Sequence, residues 1–97
     1  MYLLNVSYSQ TPAAVQPHVA EHGVWVKQHI DAGTFLFAGP KKSGLGGVIL
    51  VRSIPKAELL NLLAEDSYVK ADVVDYQIVE FDCKLTTPGL EQLVGES

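Results

Sequence analysis

The sequence predicts one α+β domain in which strand, helix, strand, strand, helix and strand follow one another along 97 residues. Three observations predict it. Four stretches of β-branched, aromatic and aliphatic residues either alternate or run apolar, as half-buried and fully buried strands do. Two intervening stretches carry apolar residues at helical spacing behind proline-containing starts. Glycine and proline punctuate the joints. Two strand–helix–strand halves with right-handed crossovers close into a four-stranded antiparallel sheet with both helices on one face.

The first strand is predicted over residues 2–9 (YLLNVSYS), with Tyr2, Leu4, Val6 and Tyr8 on one face and Leu3, Asn5 and Ser7 on the other. Thr11-Pro12 then opens a helix, Thr as cap and Pro in the first turn, where its missing N–H costs nothing. Val15, Val19, Val26 and Ile30 set its apolar stripe, and Gly33 stops it. A second strand is expected over residues 34–38 (TFLFA), ended by Gly39-Pro40, and residues 41–47 (KKSGLGG) form a flexible connection. The third strand, residues 48–52 (VILVR), is apolar enough for burial on both faces. Ser53-Ile54-Pro55 starts a second helix that carries Leu59, Leu60 and Leu63 and ends near Glu65-Asp66, with one more turn at Val69 and Ala71. Residues 73–83 (VVDYQIVEFDC) read as the longest strand. The domain is thus expected over residues 1–85, and residues 86–97 as a helical arm or disordered tail.

Composition narrows the function classes. With 47 % hydrophobic and 19 % charged residues, the chain is globular. It carries a formal charge of −4 and no basic cluster larger than Lys41–Lys42, so neither nucleic acid nor an anionic membrane is an expected partner. Cys83 is the single cysteine, which rules out an intrachain disulfide and fits a reducing, cytoplasmic setting. No leader is expected, since the N-terminus lacks a basic segment and a long apolar run. No stretch reaches the ~20 apolar residues of a spanning helix. The sheet face turned away from the helices keeps apolar side chains at alternate positions. A second copy closing sheet against sheet, a homodimer, is the simplest cover.

The three histidines, His18, His22 and His29, fall on roughly one side of the first helix, where rotation of 100° per residue overlaps them with the valine stripe. His22 is therefore expected partly buried, either as a satisfied core-edge group or as a proton-transfer group with a carboxylate neighbour. His18–His22 spells HVAEH, the H-x-x-E-H of inverted zinc peptidases. A third ligand and a scaffold large enough for a peptide cleft are missing, so no metal is expected. The glycines of Ser43-Gly44-Leu45-Gly46-Gly47 lead into a strand and lack phosphate-loop spacing, which marks a hairpin loop. Cys83 has no cationic neighbour but Lys84 and reads as structural. By itself Asp66 is a turn residue and Tyr68 a packing aromatic with a polar tip.

Taken together, several segments resemble the YciI-like (YCII-related) family of dimeric α+β barrel proteins. They are His22 eleven residues before Gly33, TFLFAGP ending in Gly39-Pro40, GGVILV, the leucine-rich helix, Asp66-Ser67-Tyr68-Val69-Lys70-Ala71, and the final strand with Val79-Glu80-Phe81. The resemblance implies a ferredoxin-like fold, a sheet-to-sheet dimer, a pocket between sheet and helices, and a His–Asp pair as active site. By position these are His22 and Asp66. Ser67 stands where the family usually has proline and Asp72 where it usually has glycine; both lie in the segment that presents Asp66. The expected function is a cofactor-independent lyase or isomerase acting on a small organic molecule. His22 serves as base or acid, Asp66 as its partner, and Tyr68, Gly39 and Pro40 as substrate contacts. The alternative is a non-catalytic ligand-binding or sensory dimer module using the same pocket.

Overall fold

The computed structural model describes residues 1–96, and Ser97, the end of the expected tail, lies outside them. Four strands form one antiparallel sheet: β1 (Tyr2–Tyr8), β2 (Phe35–Pro40), β3 (Gly46–Val51) and β4 (Val74–Glu80), in spatial order β2-β3-β1-β4. The helical segments are α1 (Pro12–Val15), α2 (Val19–Asp31), α3 (Lys56–Ala64) and α4 (Ser67–Lys70). This is the ferredoxin-like order of elements that the alternating strand and helix signals predicted.

Strand pairing sorts side chains into rows across the sheet. On one face the rows are Phe35–Val51–Tyr2, Ala38–Ile49–Leu4–Ile78 and Pro40–Gly47–Val6–Tyr76. That face meets Val15, Trp25, Leu59, Leu63 and Tyr68 from the helices in a single buried cluster, so all helices cover the same side. Leu4, Val51 and Leu59 are wholly buried at its centre. The other face carries the row Phe37–Leu50–Leu3–Val79, and beside it Val48–Asn5–Gln77.

Several boundaries differ from the sequence expectation, each for a local reason. The first helix is not continuous: Gln16–His18 forms a 3-10 turn between α1 and α2, because Pro17 cannot supply the N–H of an unbroken helix. The break leaves Val19 39 % exposed, not part of the packed stripe. Thr11 caps α1 as expected, its Oγ1 accepting from the Ala14 N–H at 3.2 Å. Gly33 ends α2 with φ 78°, its N–H reaching the Ile30 carbonyl while the Thr34 N–H reaches that of His29.

Gly39 and Pro40 do not terminate β2 but belong to it. A proline is tolerated there because β2 is an edge strand. Between Phe35 and Phe37 the register shifts by a bulge at Leu36, which turns Phe37 to the outer face and Ala38 to the inner one. β3 begins two residues earlier than expected, at Gly46, and β4 ends at Glu80, where pairing with β1 runs out. Leu60, placed on the apolar side of α3 by sequence, is 51 % exposed. The tail includes a 3-10 helix, Glu91–Glu96.

Candidate active site

Two segments far apart in sequence, α2 and the joint before α4, meet at one pair of side chains. His22 lies in the second turn of α2, its side chain 20 % exposed. Asp66 joins α3 to α4 and is completely buried. Its extended backbone makes it the N-cap of α4, with Oδ1 accepting from the Tyr68 N–H at 3.1 Å. The same Oδ1 lies 2.7 Å from Nδ1 of His22. Oδ2 accepts from the Tyr76 hydroxyl, also at 2.7 Å. A buried carboxylate must have its lone pairs filled, and three donors from α2, α4 and β4 fill these.

The residues that depart from the family pattern fit this segment. Ser67 Oγ donates to the His18 carbonyl at 2.9 Å, tying the start of α4 to the start of α2 and setting Asp66 beside His22. Asp72 takes the left-handed conformation, φ 55°. Its N–H reaches the Val69 carbonyl and the Val73 N–H reaches that of Tyr68, the same helix stop that Gly33 makes for α2. Aspartate is among the few non-glycine residues that adopt this conformation readily.

Tyr68 supports the imidazole from below. The two rings stack with centroids 3.8 Å apart and planes 6° from parallel. Tyr8 stands edge-on to Tyr68 at 6.1 Å. Burial, a hydrogen bond with Tyr8 and the charge of Asp66 hold the Tyr68 phenol well above its ordinary value. Burial above all, then the charge and hydrogen bond of Asp66, does the same for Tyr76. Both hydroxyls therefore stay protonated at neutral pH and act as donors.

His22 and Tyr68 form one end of a cleft of about 670 Å³ between α2 and the sheet, within the ordinary range for small-molecule sites. Val6, Tyr8 and Ile49 contribute from the inner sheet face, and Gly39 and Pro40 from β2. Thus His22, Tyr68, Gly39 and Pro40 share one cavity, with Asp66 behind the imidazole. His18 and Glu21 line a separate small depression with Lys70. The residues of the HVAEH motif therefore do not converge on one point. His29 is a core group: it packs against Trp25 and Phe35 and lies 3.3 Å from Glu65.

Sequence reading missed Tyr8 and Tyr76 as parts of this site. The signal was present in the strand alternation, which puts Tyr8 on the helix-facing side with Val6, and in the need of any buried carboxylate for donors. The pairing of Val6 with Tyr76, which brings Tyr76 to Asp66, leaves no signal in the sequence.

The chemistry open to this arrangement follows from the tautomer. A carboxylate that accepts from Nδ1–H leaves Nε2 with its lone pair. Among the described residues Nε2 has no protein partner, and the ring lines the cleft. An imidazole held in that tautomer can accept a proton at Nε2, and a carboxylate at Nδ1 then stabilises the imidazolium.

Fold and site together define a ferredoxin-like α+β protein with a histidine–aspartate pair at the wall of a small-molecule-sized cleft. The chain belongs to the YCII-related domain family, whose model matches residues 1–82. Among solved structures it is similar to 5-chloro-2-hydroxyhydroquinone dehydrochlorinase (TftG) from Burkholderia phenoliruptrix AC1100, in complex with 2,5-dihydroxybenzoquinone. The TM-score is 0.68 at 13 % identity, over 84 % of this chain and 94 % of that one. No curated protein matches the chain. No helix among the described residues is long and apolar enough to cross a membrane.

Proposed function

We propose that this protein is a small-molecule enzyme of lyase or isomerase type that works by proton transfer without a cofactor. The observation that carries the reading is the 2.7 Å contact between His22 Nδ1 and the buried Asp66, on a ring whose other nitrogen has no partner among the described residues. Nε2 takes a proton from an acidic C–H or O–H of the bound substrate. The electron pair left behind either expels a leaving group from the adjacent carbon, which is elimination, or is reprotonated elsewhere by the imidazolium, which is isomerisation. The Tyr8 hydroxyl, held by its hydrogen bond with Tyr68, supplies a donor for the oxygen on which negative charge gathers, and Tyr68 contacts the substrate. Gly39 and Pro40 are substrate contacts on β2. The structural relative's name describes loss of hydrogen chloride from a hydroxylated aromatic ring, an elimination. The active assembly is a homodimer formed through the outer sheet faces, and its setting is cytoplasmic.

Deuterium uptake tests the reaction class. Hydroxylated benzenes, 1,3-diketones and a chlorinated hydroxyhydroquinone are incubated with the protein in D2O, and carbon-bound hydrogen loss and chloride release are followed. We expect catalysed exchange or chloride release that falls by about 10²–10⁴-fold in His22→Ala and Asp66→Asn, both confirmed folded by circular dichroism. Binding of these compounds with no exchange by the wild type favours the alternative, a ligand-binding or sensory module.

A further inference from the structure

Asp66 receives its donors unevenly. Oδ1 takes Nδ1 of His22 at 2.7 Å and the Tyr68 N–H at 3.1 Å, while Oδ2 takes the Tyr76 hydroxyl at 2.7 Å. The Tyr76 bond is as short as those from a hydroxyl to an ionised carboxylate, which are stronger than bonds between neutral groups. Tyr76 stands on β4 opposite Val6 and packs against the core, and it is not among the residues that line the cleft. Any influence it has on a molecule in the cleft therefore passes through Asp66 and then His22.

The direction of that influence follows from charge. A donor at Oδ2 stabilises the carboxylate and draws negative charge away from Oδ1. Oδ1 then stabilises an imidazolium less, so the ring keeps Nε2 bare to lower pH and gives up a captured proton more readily. The same bond limits rotation of the carboxylate, since β4 holds one oxygen and α4 the other. The charged groups of the neighbouring elements are engaged elsewhere. On α2, Glu21 lies in the depression with His18 and Lys70, and Lys27 is paired with Asp31; at the end of α3, Glu65 lies beside His29. Tyr68 of α4 and Tyr8 of β1 present neutral phenols. We propose, resting on the proton-transfer reading of His22, that Tyr76 is a positioning residue: by holding Oδ2 of Asp66 it sets the pH at which Nε2 of His22 becomes free to take a proton. His29 supplies the internal contrast, because its carboxylate neighbour Glu65, 3.3 Å away, is 56 % exposed and lies outside the reach of this contact.

The ring protons of His18, His22 and His29 are followed by NMR in the full chain from about pH 5 to about pH 9. Three forms are compared: wild type, Tyr76→Phe, and the chain with 3-fluorotyrosine at position 76. In Tyr76→Phe the ring keeps its packing and loses its donor, and we expect the His22 midpoint to rise by roughly half a pH unit to one pH unit. In the fluorinated chain the phenol is a stronger donor that burial keeps protonated, and the His22 midpoint should fall. His18 and His29 should keep their midpoints in both. The acid limb of the catalysed exchange rate should follow the His22 midpoint in each form. A His22 midpoint that stays put in both forms, moves the same way in both, or moves together with that of His29 overturns the proposal. If Tyr76→Phe does not fold, the fluorinated chain decides alone: a fall supports the proposal, and no change or a rise overturns it. Absence of exchange in the wild type removes the proton-transfer reading, while opposed shifts of the His22 midpoint still assign Tyr76 to the pair.

Discussion

Tyr76 holds the oxygen of Asp66 that His22 does not use, and its removal is the most informative single change away from the cleft. Tyr76→Phe leaves a fully buried carboxylate oxygen without its donor, and we expect a loss of about 1–3 kcal/mol at pH 7 by denaturant titration. The pH dependence follows first from the burial of both tyrosines and then from the charge of Asp66. Tyr68 and Tyr76 keep their protons in the folded chain beyond pH ~10, where an unfolded tyrosine loses its own. Above that pH the folded state binds more protons than the unfolded one, so stability falls as pH rises. Below it the contribution is fully present. Denaturation midpoints measured from pH 7 to pH 11 should decline beyond about pH 10, and decline less steeply in Tyr76→Phe. His22 was legible in the sequence as a histidine on an apolar helix face. Its partner was not legible from the residues alone: Asp66 lies 44 positions away, and only the family resemblance joined the two.

The short helix that presents Asp66 depends on how it stops. Asp72 takes a left-handed conformation that costs most side chains about 1–2 kcal/mol. Asp72→Gly should therefore match or exceed the wild type in stability, by up to about 1 kcal/mol, while Asp72→Val should lose about 1–2 kcal/mol. Thermal melts of the two variants check the order, and equal melts would contradict the assignment. The comparison explains which boundaries sequence reading could find. Gly33 announces the end of α2 because glycine is the usual residue for that stop. Asp72 makes the same stop with a residue that reads equally well as a solvated loop position. Pro17 was visible too, but the valine spacing on either side of it matched one helix, and the 3-10 turn that absorbs the proline leaves no periodic signal. The bulge at Leu36 is likewise silent, since it depends on pairing with β3.

Across the whole molecule, the alternation of β1 predicted both faces of the sheet, because its residues pair with β3 and β4 in unbroken register. One face is covered by helices. The other presents Phe37, Leu50, Leu3 and Val79 in a row across all four strands, with Phe37 54 % and Val79 46 % exposed. Under the dimer proposal this row is the centre of the interface. Sedimentation should give twice the chain mass at micromolar concentration, and Val79→Lys together with Phe37→Glu should give the single-chain mass. A wild type that sediments as one chain contradicts the dimer. His22 and Asp66 lie among the helices that cover the inner face, so the separated chains should retain the contact between them.

The nitrogen spectrum of the His22 ring reports directly on the proton that the proposed mechanism places between Nδ1 and Asp66. Long-range ¹H–¹⁵N correlation of the neutral imidazole should show His22 protonated at Nδ1 and bare at Nε2, with the Nδ1 proton shifted strongly downfield and this pattern lost in Asp66→Asn. A His22 ring protonated at Nε2, or one whose nitrogens are unchanged by Asp66→Asn, would contradict it.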